Sequence, residues 1–361
     1  MRRSCTEAAY PSALLAVAGY GLSSTRPFPE SPVVAWPEFV ESARKHRLLG
    51  HLSAAVTASV LPTTPEQRAQ VRAVHRATVF RMMALERLLL SVASIGVPMR
   101  VLKGSAYAHL DYPDPARRSY IDLDLLFRPT EFADAVATLT AAGFTRTLAE
   151  PRPGFDERFD KGTTLRRDGM ELDLHRTFVL GPWGRLVDID SLWSTGETFT
   201  LGGTELTALS GPNRFLHACY HAALGDWPLR LGSLRDVAQL LPHASLGRAQ
   251  EWGVQAVVAA AVADATRLLG LPLTTEIQEW AAVYSPTARE EQWLALHTHE
   301  DKTFAAQAWA TLPMLPGVRE KAAYLRALML PSHDYTAGRH TSALSRIRFG
   351  VKEAIRGRGR Q

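Results

Sequence analysis

Cysteine is nearly absent from this 361-residue chain, with only Cys5 and Cys219 present. Two isolated thiols supply neither a disulfide framework nor a cysteine-built zinc site, and the default compartment is therefore reducing and cytoplasmic. Long apolar runs are missing as well. The most apolar early stretch, residues 8–22, follows Met1-Arg2-Arg3 in the manner of a secretory leader. Glu7 interrupts that pattern and no small-x-small cleavage site closes it, so a packed first helix is expected. Residues 254–271 are apolar but carry Asp264 and Arg267, which suits a buried helix better than a membrane span. A P-loop and a dinucleotide-binding glycine fingerprint are both lacking. So is a kinase catalytic loop, because His175-Arg176-Thr177 has no aspartate where that loop needs one. The chain shows no internal repeat, and low complexity is confined to its Gly-Arg end.

An excess of either charge is lacking outside the last residues. The chain has 41 Lys/Arg against 36 Asp/Glu, a formal net charge of +5. Residues 341–361 hold six of those bases and one acid, so they account for the whole excess. A formally neutral body argues against a DNA-binding one. The tail is either a disordered or surface-packed end or, with Ile347, Phe349, Val351 and Ile355 interleaved among its bases, a contact for RNA or acidic lipid.

What is present suits a globular protein of about two domains, with 46% hydrophobic and 21% charged residues. Residues 65–95 carry Val71, Val74, Val79, Met82, Leu85 and Leu89 at helical spacing, after breaks at Pro62 and Pro65. The texture then changes. Residues 99–102 read as a strand, 106–110 as a short helix and 120–127 as a second strand. A helix follows over 130–142, with Thr130 as its N-cap and Gly143 as its stop, and residues 144–149 make a third strand. Two hairpins follow, one turning at Asp168-Gly169 and one at Gly202-Gly203. From residue 212 the chain is helical to about residue 330. The expected class is α+β, with a helical segment over 1–95, a small mixed-sheet core over 96–210, a helical domain over 211–335 and a basic tail over 336–361.

The chemistry concentrates in the core. Side chains on a strand alternate faces, so Asp122 and Asp124 project together while Ile121, Leu123 and Leu125 turn into a core. Like charges held this closely need a compensating cation, and a hard divalent ion such as Mg²⁺ favours carboxylates plus substrate phosphates. Gly104-Ser105 directly follows the preceding strand, where a glycine permits close approach to a phosphate and a hydroxyl with adjacent amides donates to it. Lys103 either adds positive charge there or faces solvent. Glu171-Leu-Asp173-Leu-His175 repeats the alternation on a later strand. If that strand lies beside the Asp122 strand, Asp173 completes a three-carboxylate cluster, and Glu171 shares its parity. Three carboxylates suit two magnesium ions in phosphoryl transfer. His175 lies on the Asp173 face, either orienting a carboxylate or contacting substrate, or serving as an ordinary strand histidine. Arg118 is a candidate phosphate clamp or part of a solvated basic loop with Arg117. His217 and His221 lie four apart on a helix, without the acid a hydrolytic zinc motif needs.

Leu102-Lys103-Gly104-Ser105, then Arg118-x-x-x-Asp122-Leu-Asp124-Leu-Leu, then Glu171-Leu-Asp173-Leu-His175 resembles the DNA polymerase beta-type nucleotidyltransferase superfamily, and more closely its bacterial branch of uncharacterised nucleotidyltransferases. The resemblance is strong over residues 98–177 and looser over the helical part with His217, His221, Arg230, Arg235 and Asp236. It implies metal ligation by Asp122, Asp124 and Asp173, help from Asp173 in activating an acceptor, and a triphosphate held by Gly104-Ser105, with Lys103, Arg118, His175 and His221 beside the nucleotide. The implied reaction moves a nucleoside monophosphate from an NTP such as ATP to an acceptor (small molecule, peptide or RNA) and releases pyrophosphate, with Mg²⁺, as two ions, the expected cofactor. One departure is that sixteen residues separate Ser105 from Asp122, more than the superfamily usually has, in a Tyr-Pro-Asp-Pro-containing segment like that of the bacterial branch. The alternative is a non-catalytic nucleotide-, RNA- or peptide-binding accessory protein that retains the fold.

Overall fold

The computed structural model describes residues 7–225, 228–298 and 304–336. Cys5 and nearly all of the basic tail lie outside the described residues.

Four helices lead in. They are α1 (Ser12–Gly19), α2 (Trp36–Lys45), α3 (Leu49–Thr57) and α4 (Pro65–Ala93). α1 is buried along nearly its whole length, as expected of a packed first helix. α4 begins with a reciprocal cap: the Thr64 hydroxyl accepts from the Gln67 amide at 3.3 Å, and the Gln67 side chain accepts from the Thr64 amide at 3.0 Å. Its buried stripe of Val71, Met82, Leu85, Leu88, Leu89 and Val92 follows the helical repeat seen in the sequence.

Seven strands form one mixed sheet. These are β1 (Arg100–Val101), β2 (Leu123–Leu126), β3 (Thr145–Arg146), β4 (Gly162–Arg167), β5 (Met170–His175), β6 (Gly196–Leu201) and β7 (Thr204–Leu209), in the order β3-β4-β5-β2-β1-β7-β6. β2 runs parallel to β5, and β1 runs parallel to β7. The β4–β5 and β6–β7 hairpins turn where the sequence signalled, with both residues of each turn at positive φ. Helix α5 (Lys103–Leu110) follows β1 directly, and α6 (Phe132–Ala141) follows β2. The helical remainder includes the Gly211–Tyr220, Leu231–Leu240 and Gln255–Leu269 helices. No helix of the described residues is long and apolar enough to cross a membrane. The fold is α+β, with helices flanking the sheet, and its main hydrophobic core includes side chains from Tyr10 to Leu294.

Several boundaries differ from the sequence reading. The strand expected over 120–127 pairs with β5 only over Leu123–Leu126, and with β1 only at Leu125 and Leu126. Ile121 therefore lies outside the ladder and is 42% exposed instead of joining Leu123 and Leu125 in the core. The helix expected from Thr130 starts at Phe132 with Glu131 as its N-cap. The helix expected from Ala106 starts at Lys103, and the third strand is two residues long.

Leu125 and Leu172 are fully buried in the two central strands. Leu125→Ala should cost about 2–5 kcal/mol of stability through lost transfer energy and a residual cavity. Urea denaturation reads this directly, and a loss well under 1 kcal/mol would contradict the packing described.

Candidate active site

The parallel pairing of β2 and β5 sets Asp124 opposite Asp173 in register. Residues so paired share a sheet face, and their side chains lie side by side. His175, two positions further along β5, also reaches that face, and its Nε2 lies 2.9 Å from Asp124 Oδ1. One ligand-competent atom from each of Asp124, Asp173 and His175 can be chosen so that all three lie within 4.8 Å of one another. The Thr164 hydroxyl, opposite Asp173 in the β4–β5 hairpin, donates to Asp173 Oδ1 at 2.6 Å.

Asp124 is all but sealed from water, and Lys103 supplies its main counter-charge, with Nζ 2.9 Å from Oδ1. Burial acts to raise the Asp124 carboxyl, but Lys103 and His175 outweigh it and hold the group well below the usual carboxylate range. The reverse holds for Asp122, where burial and then the charge of Asp124 push its pKa up, while Lys103 and Arg47 oppose them. The charge of Asp173 adds to the rise of Asp122. Two carboxylates with divergent affinities for a proton, and a third beside them, make a centre that suits a compensating cation. Two carboxylates and an imidazole form a donor set that hard or borderline divalent ions accept.

The glycine-serine turn has a defined shape. Lys103 has φ 20°, and Gly104 has φ 31° and ψ −110°, so the chain kinks sharply at the very start of α5. A glycine tolerates that backbone, whereas a residue with a Cβ is strained there. Ser105 is buried beside the Tyr120 ring, and its hydroxyl closes no hydrogen bond of regular geometry. Gly104 and Ser105 shape the turn, but it is Lys103 that lines the adjoining cavities.

Three concavities meet at this centre. The first, about 600 Å³ including its open mouth, lies over Asp122 and Asp124 and is walled by Lys103, Arg118, Arg47, Arg230 and Arg235. The second, about 820 Å³, is bounded by Lys103, His175, His217, His221, Phe178 and Tyr220. The third, about 690 Å³, opens on the Asp173 side beside Thr164, Asp156 and Asp160. Two hydrogen bonds tie together the segments that flank the first: Gly232 N donates to the His46 backbone oxygen at 3.0 Å, and Leu231 N donates to the His46 side chain at Nδ1 at 3.2 Å.

The remaining sequence candidates fall as follows. Arg118 lines the first cavity with its guanidinium held two-pronged by Asp236, at 2.7 and 3.2 Å, and Tyr112 donates to the same carboxylate at 2.8 Å. It is thus a buried, partnered arginine rather than part of a solvated loop. His217 accepts or donates at Nδ1 to the Tyr107 hydroxyl at 2.9 Å. Burial first, and then Lys103, push both His217 and His221 well below the usual imidazole range, so both are neutral near pH 7. Glu171 does not join the centre; it is exposed and pairs with Arg166 at 2.5 Å. Sequence reasoning missed Thr164, although the two-residue turn at Asp168-Gly169 fixes it opposite Asp173. It also missed Arg47, which carries no local signal.

Residues 32–270 match the family described as uncharacterised nucleotidyltransferase. The chain belongs to that family. The match spans α2 through the whole of the Gln255–Leu269 helix and takes in the acidic centre, both hairpins and the Arg118–Asp236 pair. A solved antigenic nucleotidyltransferase-like protein from Paracoccidioides brasiliensis aligns at 19% identity over 54% of this chain and 94% of its own, with a TM-score of 0.34. No curated protein matches.

Beside the third cavity, burial and then the neighbouring Asp160 push Asp156 up to about 7, against the opposing pull of Arg146. The folded protein therefore keeps this proton up to about pH 7, whereas the unfolded chain releases it near 3.8. Stability should fall as pH rises between those values and level off above them. Asp156→Asn has nothing to ionise. Relative to wild type it should gain roughly 2 kcal/mol between about pH 5 and pH 8 in urea denaturation, whereas the same difference at both pH values would contradict the assignment.

Proposed function

We propose that this chain transfers a nucleoside monophosphate from an NTP to an acceptor nucleophile, with pyrophosphate as the leaving group, at the centre formed by Asp122, Asp124 and Asp173. The observation that carries this reading is the in-register pairing of Asp124 with Asp173, with His175 beside them, at the edge of a cleft walled by Lys103 and four arginines. Family membership supports the same reaction class.

Under this reading the triphosphate enters the first cavity, where Lys103, Arg47, Arg118 and Arg230 meet its negative charge. Its α-phosphorus lies toward Asp122 and Asp124. The acceptor approaches from the Asp173 side, and its oxygen attacks in line with the departing pyrophosphate. A divalent cation, in the first instance Mg²⁺, held by Asp122, Asp124 and Asp173, would neutralise the triphosphate and lower the pKa of the acceptor hydroxyl. His175 orients Asp124 through its Nε2 contact, and Thr164 fixes the rotamer of Asp173. Lys103-Gly104-Ser105 places the start of α5 at the cleft. Positioning and charge neutralisation dominate catalysis in such transfers.

The test uses an α-phosphate-labelled NTP with Mg²⁺ and a cell extract as the source of acceptor. Wild type should pass label to an acceptor. Asp122→Asn and Asp173→Asn, folded by circular dichroism, should transfer at least about 10²-fold more slowly. Transfer at the wild-type rate by the Asp173 variant would overturn the proposal.

A further inference from the structure

Lys103 differs from two of the arginines around the centre. Arg118 is bound in two-pronged fashion by Asp236, and Arg235 donates to the backbone oxygens of Ala18 and Tyr20 at 3.0 and 2.6 Å. Both are committed to partners outside the acidic cluster. The Lys103 ammonium instead sits on the cluster itself, 2.9 Å from Asp124 Oδ1, and that same oxygen is contacted by His175 Nε2 at 2.9 Å. One of the two Asp124 oxygens is thus already covered by two donors from the protein.

The backbone carrying that ammonium is held in a sparsely populated conformation. Lys103 is one of four non-glycine residues at positive φ among the described residues, and the kink continues through Gly104. Strain of this kind persists where the surroundings enforce it, and it clusters at ligand sites and switches. The side chain also borders two cavities, the cleft over Asp122 and the histidine-lined one. A lysine is a point charge on a flexible stem and can exchange one anionic partner for another without the planar geometry an arginine requires.

We infer that Lys103 is a resident stand-in for the metal: in the nucleotide-free protein its ammonium occupies the cation place beside Asp124, and it passes to the triphosphate when the nucleotide enters the cleft. This rests on the nucleotidyltransferase reading and adds to it a lysine that competes with the divalent ion before nucleotide arrives and pairs with the phosphates afterwards. The exchange is one of ion pairs only. Lys103 gives up a carboxylate and gains a phosphate oxygen, while Asp124 gives up an ammonium and becomes available as a ligand, so no covalent bond changes.

Isothermal titration with Mn²⁺ as the probe tests this on the full chain without nucleotide, comparing wild type with Lys103→Met and Lys103→Gln. The glutamine variant keeps a hydrogen bond to Asp124 without the charge, so it carries the measurement if the methionine variant fails to fold. Both variants should bind Mn²⁺ about 10-fold more tightly than wild type, as expected when a competing ligand is removed, and should bind ATP more weakly by a comparable factor. Unchanged or weakened Mn²⁺ binding in the folded variants would make Lys103 a structural ion pair and overturn the inference, even where wild type binds Mn²⁺ together with ATP. If no form binds Mn²⁺ with or without ATP, the nucleotidyltransferase reading falls as well, which separates the two failures.

Discussion

Two acidic side chains from distant parts of the chain are forced side by side by the register of one parallel strand pair, and much of the surrounding structure compensates the cost of that placement. Asp124 and Asp173 sit opposite each other on β2 and β5. A buried carboxylate beside another is tolerated only with opposite charge and hydrogen bonds around it. The chain provides both. Lys103 and His175 converge on Asp124, and the Thr164 hydroxyl satisfies Asp173. The backbone is bent to suit, with the positive φ values of Lys103 and Gly104 putting the ammonium where the charge is needed.

The helical segments on either side of the sheet complete the centre. Arg47 comes from just beyond α2, whereas Arg230 and Arg235 belong to the start of the Leu231–Leu240 helix. The His46 contacts to Leu231 and Gly232 tie those two parts together. Asp236 reaches back to hold Arg118 and Tyr112. A cationic wall over an acidic floor is therefore a product of the whole fold, with contributions from residues far apart in sequence. Under the proposed function this division has a chemical meaning, because the wall suits the triphosphate and the floor suits the ion that accompanies it. Under the same proposal, the separate space on the Asp173 side suits the acceptor.

How much of this could be read from the sequence depends on the range of each interaction. The alternation of Asp122-Leu-Asp124 and Asp173-Leu-His175 is local, as are the two-residue turns, and both were legible because strand geometry and turn chemistry act over a few residues. Parity alone misplaced Ile121 and overextended β2, since a strand's extent is set by its pairing and the ladder with β5 begins only at Leu123. Glu171 has the right parity, yet it pairs with exposed Arg166 at the far end of β5. The ion pairs were not legible. That Lys103 sits on Asp124, 21 positions later, follows from the kink at Gly104, and Arg118 finds Asp236 across 118 positions. Such pairings are set by tertiary packing, on which spacing carries no information.

The most direct test is a crystal of the full chain with Mn²⁺ and a non-hydrolysable NTP analogue, read by anomalous scattering at the manganese edge. The account predicts a manganese peak about 2.2 Å from carboxylate oxygens of both Asp124 and Asp173 and from a phosphate oxygen of the analogue. A bound analogue whose manganese lies away from this strand pair, or an analogue bound outside the cleft of Asp122 and Arg118, would contradict it.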